Sequence, residues 1–144
     1  NRNLVRINNE ITAALARVAV RMTTMLPIKA IVVDTNSGRT ARYLAAFRGT
    51  STVFAICYRE RVMRMLSLSY GVWAVHQPWN DSRRGYFYDA LNQLIKSGRI
   101  TRDNMVAYLS GSFGEGGGTT FLEINNVGKV LDANSNYTLP TFQE

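Results

Sequence analysis

The sequence predicts an α/β fold: an open three-layer α/β/α sandwich around a sheet of about five strands, most of them parallel. Three observations predict it. Short apolar runs without strict alternation, such as Ala30-Ile31-Val32-Val33, suit strands covered on both faces. These runs alternate at short intervals with segments of helical period, which implies parallel strands joined by right-handed crossovers. The chain has 144 residues, close to the most common size for one domain with one core.

Residues 1–8 show no clear period and read as a lead-in, with the domain proper at 9–132 and a tail at 133–144. From Glu10, the positions Ile11, Ala14, Leu15, Val18, Ala19 and Met22 form one face of an amphipathic helix that Pro27 ends. The first strand, Ala30 to Val33, leads into a second helix carrying Ala41, Leu44, Ala45 and Phe47, with Gly49 placed to close it. Thr52 to Cys57 is the second strand. A short helix with Val62, Met63, Met65, Leu66 and Leu68 follows, its methionines serving as core filler. Gly71 to His76 is the third strand, and Gln77 to Ser82 is a loop. Asp81 or Ser82 caps a helix whose inner face uses Phe87, Ala90, Leu91, Leu94 and Ile95 and which Ser97-Gly98 ends. Met105 to Leu109 and Thr119 to Ile124 are the last strands. Asn125 to Asp132 is polar, and the tail is ordered only in part.

The stretch between the first strand and the second helix carries the chemistry. Asp34-Thr35-Asn36-Ser37-Gly38 supplies turn residues, and the helix then opens on Arg39 and Thr40. Hydroxyls of Thr35, Ser37 and Thr40, the Arg39 guanidinium and a helix N-terminus converge there, which suits an anion such as phosphate. Ser37 acting only as a helix cap is the alternative. Ser110-Gly111-Ser112-Phe113-Gly114-Glu115-Gly116-Gly117-Gly118 is a second candidate, a glycine-rich flap or a close backbone approach to a ligand. It is not a nucleotide P-loop, having no Lys-Ser/Thr after its glycines, and a strand rather than a helix follows it. A long exposed connection is its alternative. Both candidates lie at strand carboxyl ends, where such sheets bind ligands.

The remaining signals narrow the class. Asp34 is the only acid in a usual catalytic location, and turn capping explains it equally well. Cys57 is the single cysteine and His76 the single histidine, so no internal disulfide forms, and a Cys–His nucleophilic pair would need both to meet at adjacent strand ends. One unpaired cysteine fits a reducing, cytoplasmic compartment. No apolar run reaches a membrane-spanning length, and the start Asn1-Arg2-Asn3, without a leader, suggests a processed product or a fragment. The formal charge of +7 invites nucleic acid or an acidic partner. The arginines are scattered rather than striped, however, and no aromatic-interleaved nucleic-acid motif is present.

Residues Lys29 to Arg42, with Thr35-Asn36-Ser37-Gly38-Arg39-Thr40-Ala41 at their centre, resemble the C-terminal domain of pyruvate kinase. The likeness continues in Val53 to Cys57, in Tyr70-Gly71-Val72 and in Val106 to Gly111, and covers residues 9 to 132. It implies a five-stranded α/β sheet whose last strand is antiparallel. It also implies a regulatory and subunit-contact domain of an enzyme that moves a phosphoryl group from phosphoenolpyruvate to ADP. Magnesium and potassium would belong to the full-length enzyme and no cofactor to this domain, and the chain alone would be inactive without its catalytic barrel. The implied partners are that barrel, further copies of the chain in a dimer or tetramer, and a sugar phosphate or nucleoside monophosphate effector, with neither nucleic acid nor membrane among them. By the resemblance the effector pocket comprises Thr35, Asn36, Ser37, Gly38, Arg39 and Thr40, with Gly111, Ser112, Gly116 and Gly117 from the loop and Trp79 and Arg84 nearby. Tyr86 stands where the family's second-phosphate arginine is expected, and Glu115 adds like charge, so a single-phosphate effector rivals a bisphosphate. A free-standing phosphate- or nucleotide-binding module or small enzyme, and a basic nucleic-acid-binding domain, are the alternative readings.

Overall fold

The structure, a computed structural model, describes residues 2–35, 38–46, 51–78, 82–111 and 119–138. Five strands form one sheet: β1 (Ile28–Thr35), β2 (Thr52–Cys57), β3 (Val72–His76), β4 (Met105–Gly111) and β5 (Thr119–Asn126). Their order is β3-β2-β1-β4-β5, with every neighbouring pair parallel except β4 and β5, which run antiparallel. The fold class expected from the sequence is the one observed.

Strict alternation along the strands explains the unbroken apolar runs. Ile31 and Val33 of β1, with Val53, Ala55 and Cys57 of β2, face one core. That core is closed by α1 (Arg2–Met25), α2 (Arg39–Ala46) and α3 (Glu60–Leu66). Ala30 and Val32, with Phe54, Ile56, Val106 and Tyr108, face a second core closed by α4 (Arg83–Lys96) and α5 (Val127–Thr138). Both faces are therefore dry, which is why no polar residue interrupts the centre of β1 or β2.

Ser82 caps α4 by accepting from the Gly85 amide at 3.1 Å, and Gly98 (φ 77°) follows its last turn. Three expectations need correction. Helix α1 already runs from Arg2, through the segment read as a lead-in, and Arg6 and Glu10 stand one turn apart at 3.7 Å. Its buried positions are Thr12, Ala16 and Ala19, while Ile11, Ala14 and Val18 are exposed. Small side chains let α1 lie close to β5 and α2, so the larger apolar residues turn outward.

Helix α3 ends at Leu66, which leaves Met65 half-buried and Leu68 in solvent rather than in the core. The polar stretch after β5 is a helix, α5, because Val127, Val130 and Leu131 recur on one face and dock on the α4 side. The Asn126 side chain accepts from the Lys129 amide at 3.2 Å and caps it.

Candidate functional site

Strands β2 and β3 lie on one side of β1 and β4 on the other, so the order reverses between β1 and β4. Ligands of open α/β sheets enter at such a point, beyond the strand carboxyl ends. Thr35 closes β1 opposite Cys57 of β2, and Gly111 closes β4 opposite Thr119, next to an irregularity at Ser110. The carboxyl ends of β1 and β4 therefore border the same crevice. Of the residues expected to bind an effector, Gly38, Arg39, Thr40, Gly111 and Arg84 are described, as is the backbone of Thr35. Asn36, Ser37, Trp79, Ser112, Gly116 and Gly117 lie outside the described residues.

Gly38 adopts φ +84°, the left-handed turn that swings the chain into α2. Thr40 is buried, and its hydroxyl meets the Thr119 hydroxyl at 2.7 Å. The Thr119 amide donates to the Thr12 hydroxyl at 3.1 Å, and that hydroxyl donates to the Asn8 carbonyl at 2.9 Å. Hydroxyl relays thus tie the start of α2 to β5 and α1. Arg39 is exposed and donates to the Asn9 side chain of α1. Arg84 lies 2.6 Å from Glu123 of β5, pinning the first turn of α4 to the sheet edge.

Below the turn is a polar cluster that sequence reasoning saw only in part. Asp34 is buried and accepts hydrogen bonds from the hydroxyls of Tyr108 and Ser110, the latter at 2.6 Å. It bridges β1 and β4 across the switch point. The Tyr108 ring stacks on Phe87 of α4, with centroids 3.8 Å apart, and meets Phe121 edge-on at 5.8 Å. Gln77, also buried, donates from Nε2 to the Tyr86 carbonyl at 2.8 Å, while its Oε1 has no hydrogen-bond partner among the described residues. The Tyr86 hydroxyl donates to the Gln77 carbonyl at 3.4 Å. Burial first, then the charges of Asp34, Cys57 and Tyr58, push the Tyr86 phenol up. Tyr86 is therefore a neutral, buried hydroxyl.

Cys57 and His76 are register partners on β2 and β3, so the topology does bring them side by side. Cys57 is fully buried and its thiol faces the Ala55 carbonyl at 3.8 Å, whereas His76 is exposed. Burial pushes the thiol from 9.0 up to about 11, the opposite of what a nucleophile needs. The folded chain holds this proton longer than the unfolded chain, so the contribution is complete below the ordinary value and is lost as pH climbs towards the folded one. Between about pH 8 and about pH 11, urea melts of the wild type should lose about 2–3 kcal/mol more than those of Cys57→Ala. Parallel pH curves for the two proteins would refute this assignment.

Among the described residues, no three His, Cys, Asp or Glu side chains group in a way that would hold a metal ion, and no helix is long and apolar enough to cross a membrane. A cavity of about 470 Å³ lies at the opposite end of the sheet, between Val20, Leu44, Val53, Tyr70 and Trp73. Its walls are mostly apolar, with Ser51 and Thr52 among them, and it carries none of the residues expected to bind an anion, so the crevice at the switch point is the better candidate.

Comparison with known proteins follows the same lines. Residues 13–125 match the family model described as pyruvate kinase, alpha/beta domain. Pyruvate kinase of Bacillus licheniformis is 27% identical over 126 residues, covering 88% of this chain and 22% of the relative. That of Borreliella burgdorferi is 34% identical over 116 residues, covering 78% of this chain and 24% of the relative. Among solved structures, Cryptosporidium parvum pyruvate kinase in complex with ADP superposes with a TM-score of 0.73 at 21% identity, over 81% of this chain and 24% of that one. This chain spans about a quarter of the length of these relatives. With the model match covering most of its length, the chain belongs to the pyruvate kinase family and corresponds to that enzyme's C-terminal α/β domain.

Proposed function

We propose that this chain is the regulatory and subunit-contact part of a pyruvate kinase, without phosphoryl-transfer activity of its own. Its β1–α2 turn binds the phosphate of an effector, a sugar phosphate or a nucleoside monophosphate. The observation that carries this reading is the placement of the turn. The left-handed Gly38 and the amide end of α2 sit at the carboxyl edge of β1, where the strand order reverses. Arg39, exposed at that helix start, is the cation for the anion and exchanges its Asn9 contact for the phosphate. Thr40 acts through Thr119, holding the start of α2 against β5 rather than reaching outward. The catalytic chemistry, with magnesium and potassium, belongs to the barrel of a full-length enzyme.

Titration calorimetry with inorganic phosphate tests the site. Saturable binding is expected, weakened about ten-fold in Arg39→Ala by loss of a charge-assisted contact. No heat of binding in either protein would remove the effector pocket from the reading. Pyruvate formation from phosphoenolpyruvate and ADP by the chain, above background, would overturn the non-catalytic role.

A further inference from the structure

Met65 stands where the β1–α2 turn meets helix α3. Of the five methionines, Met25 and Met65 are exposed, at 65% and 41%, while Met22, Met63 and Met105 are partly buried. Met25 is the last residue of α1 and lies just before β1, at the amino end of that strand. Met65 instead packs on the turn at the carboxyl end. Its terminal methyl lies 3.0 Å from the position a Gly38 Cβ would occupy, and its sulfur accepts from the Arg42 guanidinium of α2 at 3.6 Å. The Arg42 amide donates in turn to the Gly38 carbonyl at 3.0 Å. One exposed thioether thus contacts both the glycine that reverses the chain and the helix whose amide end faces the crevice.

We propose that Met65 is an oxidation site whose conversion to the sulfoxide loosens the β1–α2 turn and, with it, the hold on phosphate. The oxidant is a peroxide. The sulfur attacks one oxygen of hydrogen peroxide, the O–O bond breaks, and the departing hydroxide takes the proton of the transferred oxygen and leaves as water. Sulfur is oxidised by two electrons and the peroxide is reduced by two. A thioether is a weak acceptor, whereas the sulfoxide oxygen is strongly polar. Arg42, already at the sulfur, donates to that oxygen in a charge-assisted bond. The apolar contact of the methyl with Gly38 is given up as the polar group turns to the guanidinium and to water. Being half-exposed, Met65 has room for that movement, and the turn loses its cover. Reduction of the sulfoxide restores the contact. The link to phosphate rests on the effector-pocket part of the proposed function.

Graded treatment of the 144-residue chain with hydrogen peroxide tests it. Mass-spectrometric peptide mapping, hydrogen exchange of residues 38–46 and calorimetry with inorganic phosphate are read on the same samples. Met65 is expected to oxidise, with exchange at 38–46 about three-fold or more faster and phosphate bound about three-fold more weakly. Met65→Leu keeps the apolar contact and should show neither change after the same treatment. Met65→Gln sets a polar oxygen near the sulfoxide's place and should show both without peroxide. Met25→Leu should respond as the wild type does. Met65 left intact where Met25 is converted overturns the site, as does full oxidation of Met65 with exchange at 38–46 unchanged. Faster exchange with unaltered phosphate affinity overturns the link to the anion. Faster exchange on oxidation in a protein that binds no phosphate even beforehand supports the oxidation site and removes the effector pocket alone.

Discussion

Truncating Tyr108 to alanine is expected to lower the unfolding free energy by about 3–5 kcal/mol, among the largest single effects in the chain. Its ring is 1% exposed and holds two aromatic neighbours, Phe87 from the helix above and Phe121 from the strand beside it. Removing it opens a cavity where α4, β4 and β5 meet. It also strips a donor from Asp34, a carboxylate that cannot turn to bulk water. The two parts separate experimentally. Tyr108→Phe keeps the stack and removes only the hydroxyl, so it should cost about 1–3 kcal/mol, the price of under-satisfying a buried charged acceptor. Asp34→Leu combined with Tyr108→Phe should cost less than the sum of the single changes, because the two mutations remove the same hydrogen bond. Urea denaturation of the four variants decides it. If Tyr108→Phe costs as much as Tyr108→Ala, the ring contributes little and the packing argument fails.

Much of this architecture was legible because a buried parallel strand has a plain signature. Ala30 to Val33 and Thr52 to Cys57 are apolar on both sides, since each side meets a layer of helices. The glycine and polar residues that follow β1 also announced a turn at the crevice. Periodicity, by contrast, could find that α1 is amphipathic but not which side is buried. Its apolar residues spread over more than half the helix circumference, and close approach of the sheet selects Ala16 and Ala19 over Ile11 and Val18. Helix α5 escaped notice because three apolar residues in an asparagine-rich stretch carry little signal until a core exists to receive them.

The hydroxyls on Asp34 come from residues 74 and 76 positions away. Only the register of β1 against β4, in which Val32 faces Tyr108, brings them together. Local sequence therefore offered an acid in a catalytic or capping position, and the tertiary ladder adds its role as a strut between strands. The same limit applies to Thr40. Spacing marked it as part of the turn, but its partner Thr119 is set by the antiparallel return of β5.

Gly38→Ala should cost about 2–5 kcal/mol, the sum of two effects of known size. The first is conformational: at φ +84° a residue with a Cβ is strained by about 1–2 kcal/mol. The second is steric. A Cβ at this position would lie 3.0 Å from the Met65 terminal methyl and 3.2 Å from Leu66 Cδ2. Met65 is half-exposed and can swing aside, but Leu66 is fully buried between α3 and the sheet and cannot. Overpacking of that kind adds about 1–3 kcal/mol. Gly71→Ala separates the two effects, because Gly71 has φ +81° and no atom within 4 Å of its would-be Cβ. It should show the conformational cost alone, about 1–2 kcal/mol. Equal losses in the two variants would mean that Leu66 gives way and the steric part is absent. The difference also reaches the crevice. Relief of the Leu66 contact has to push the turn away from α3, which moves the amide end of α2. Inorganic phosphate should therefore bind Gly38→Ala about ten-fold or more weakly, while Gly71→Ala, at the far end of the sheet, binds as the wild type does.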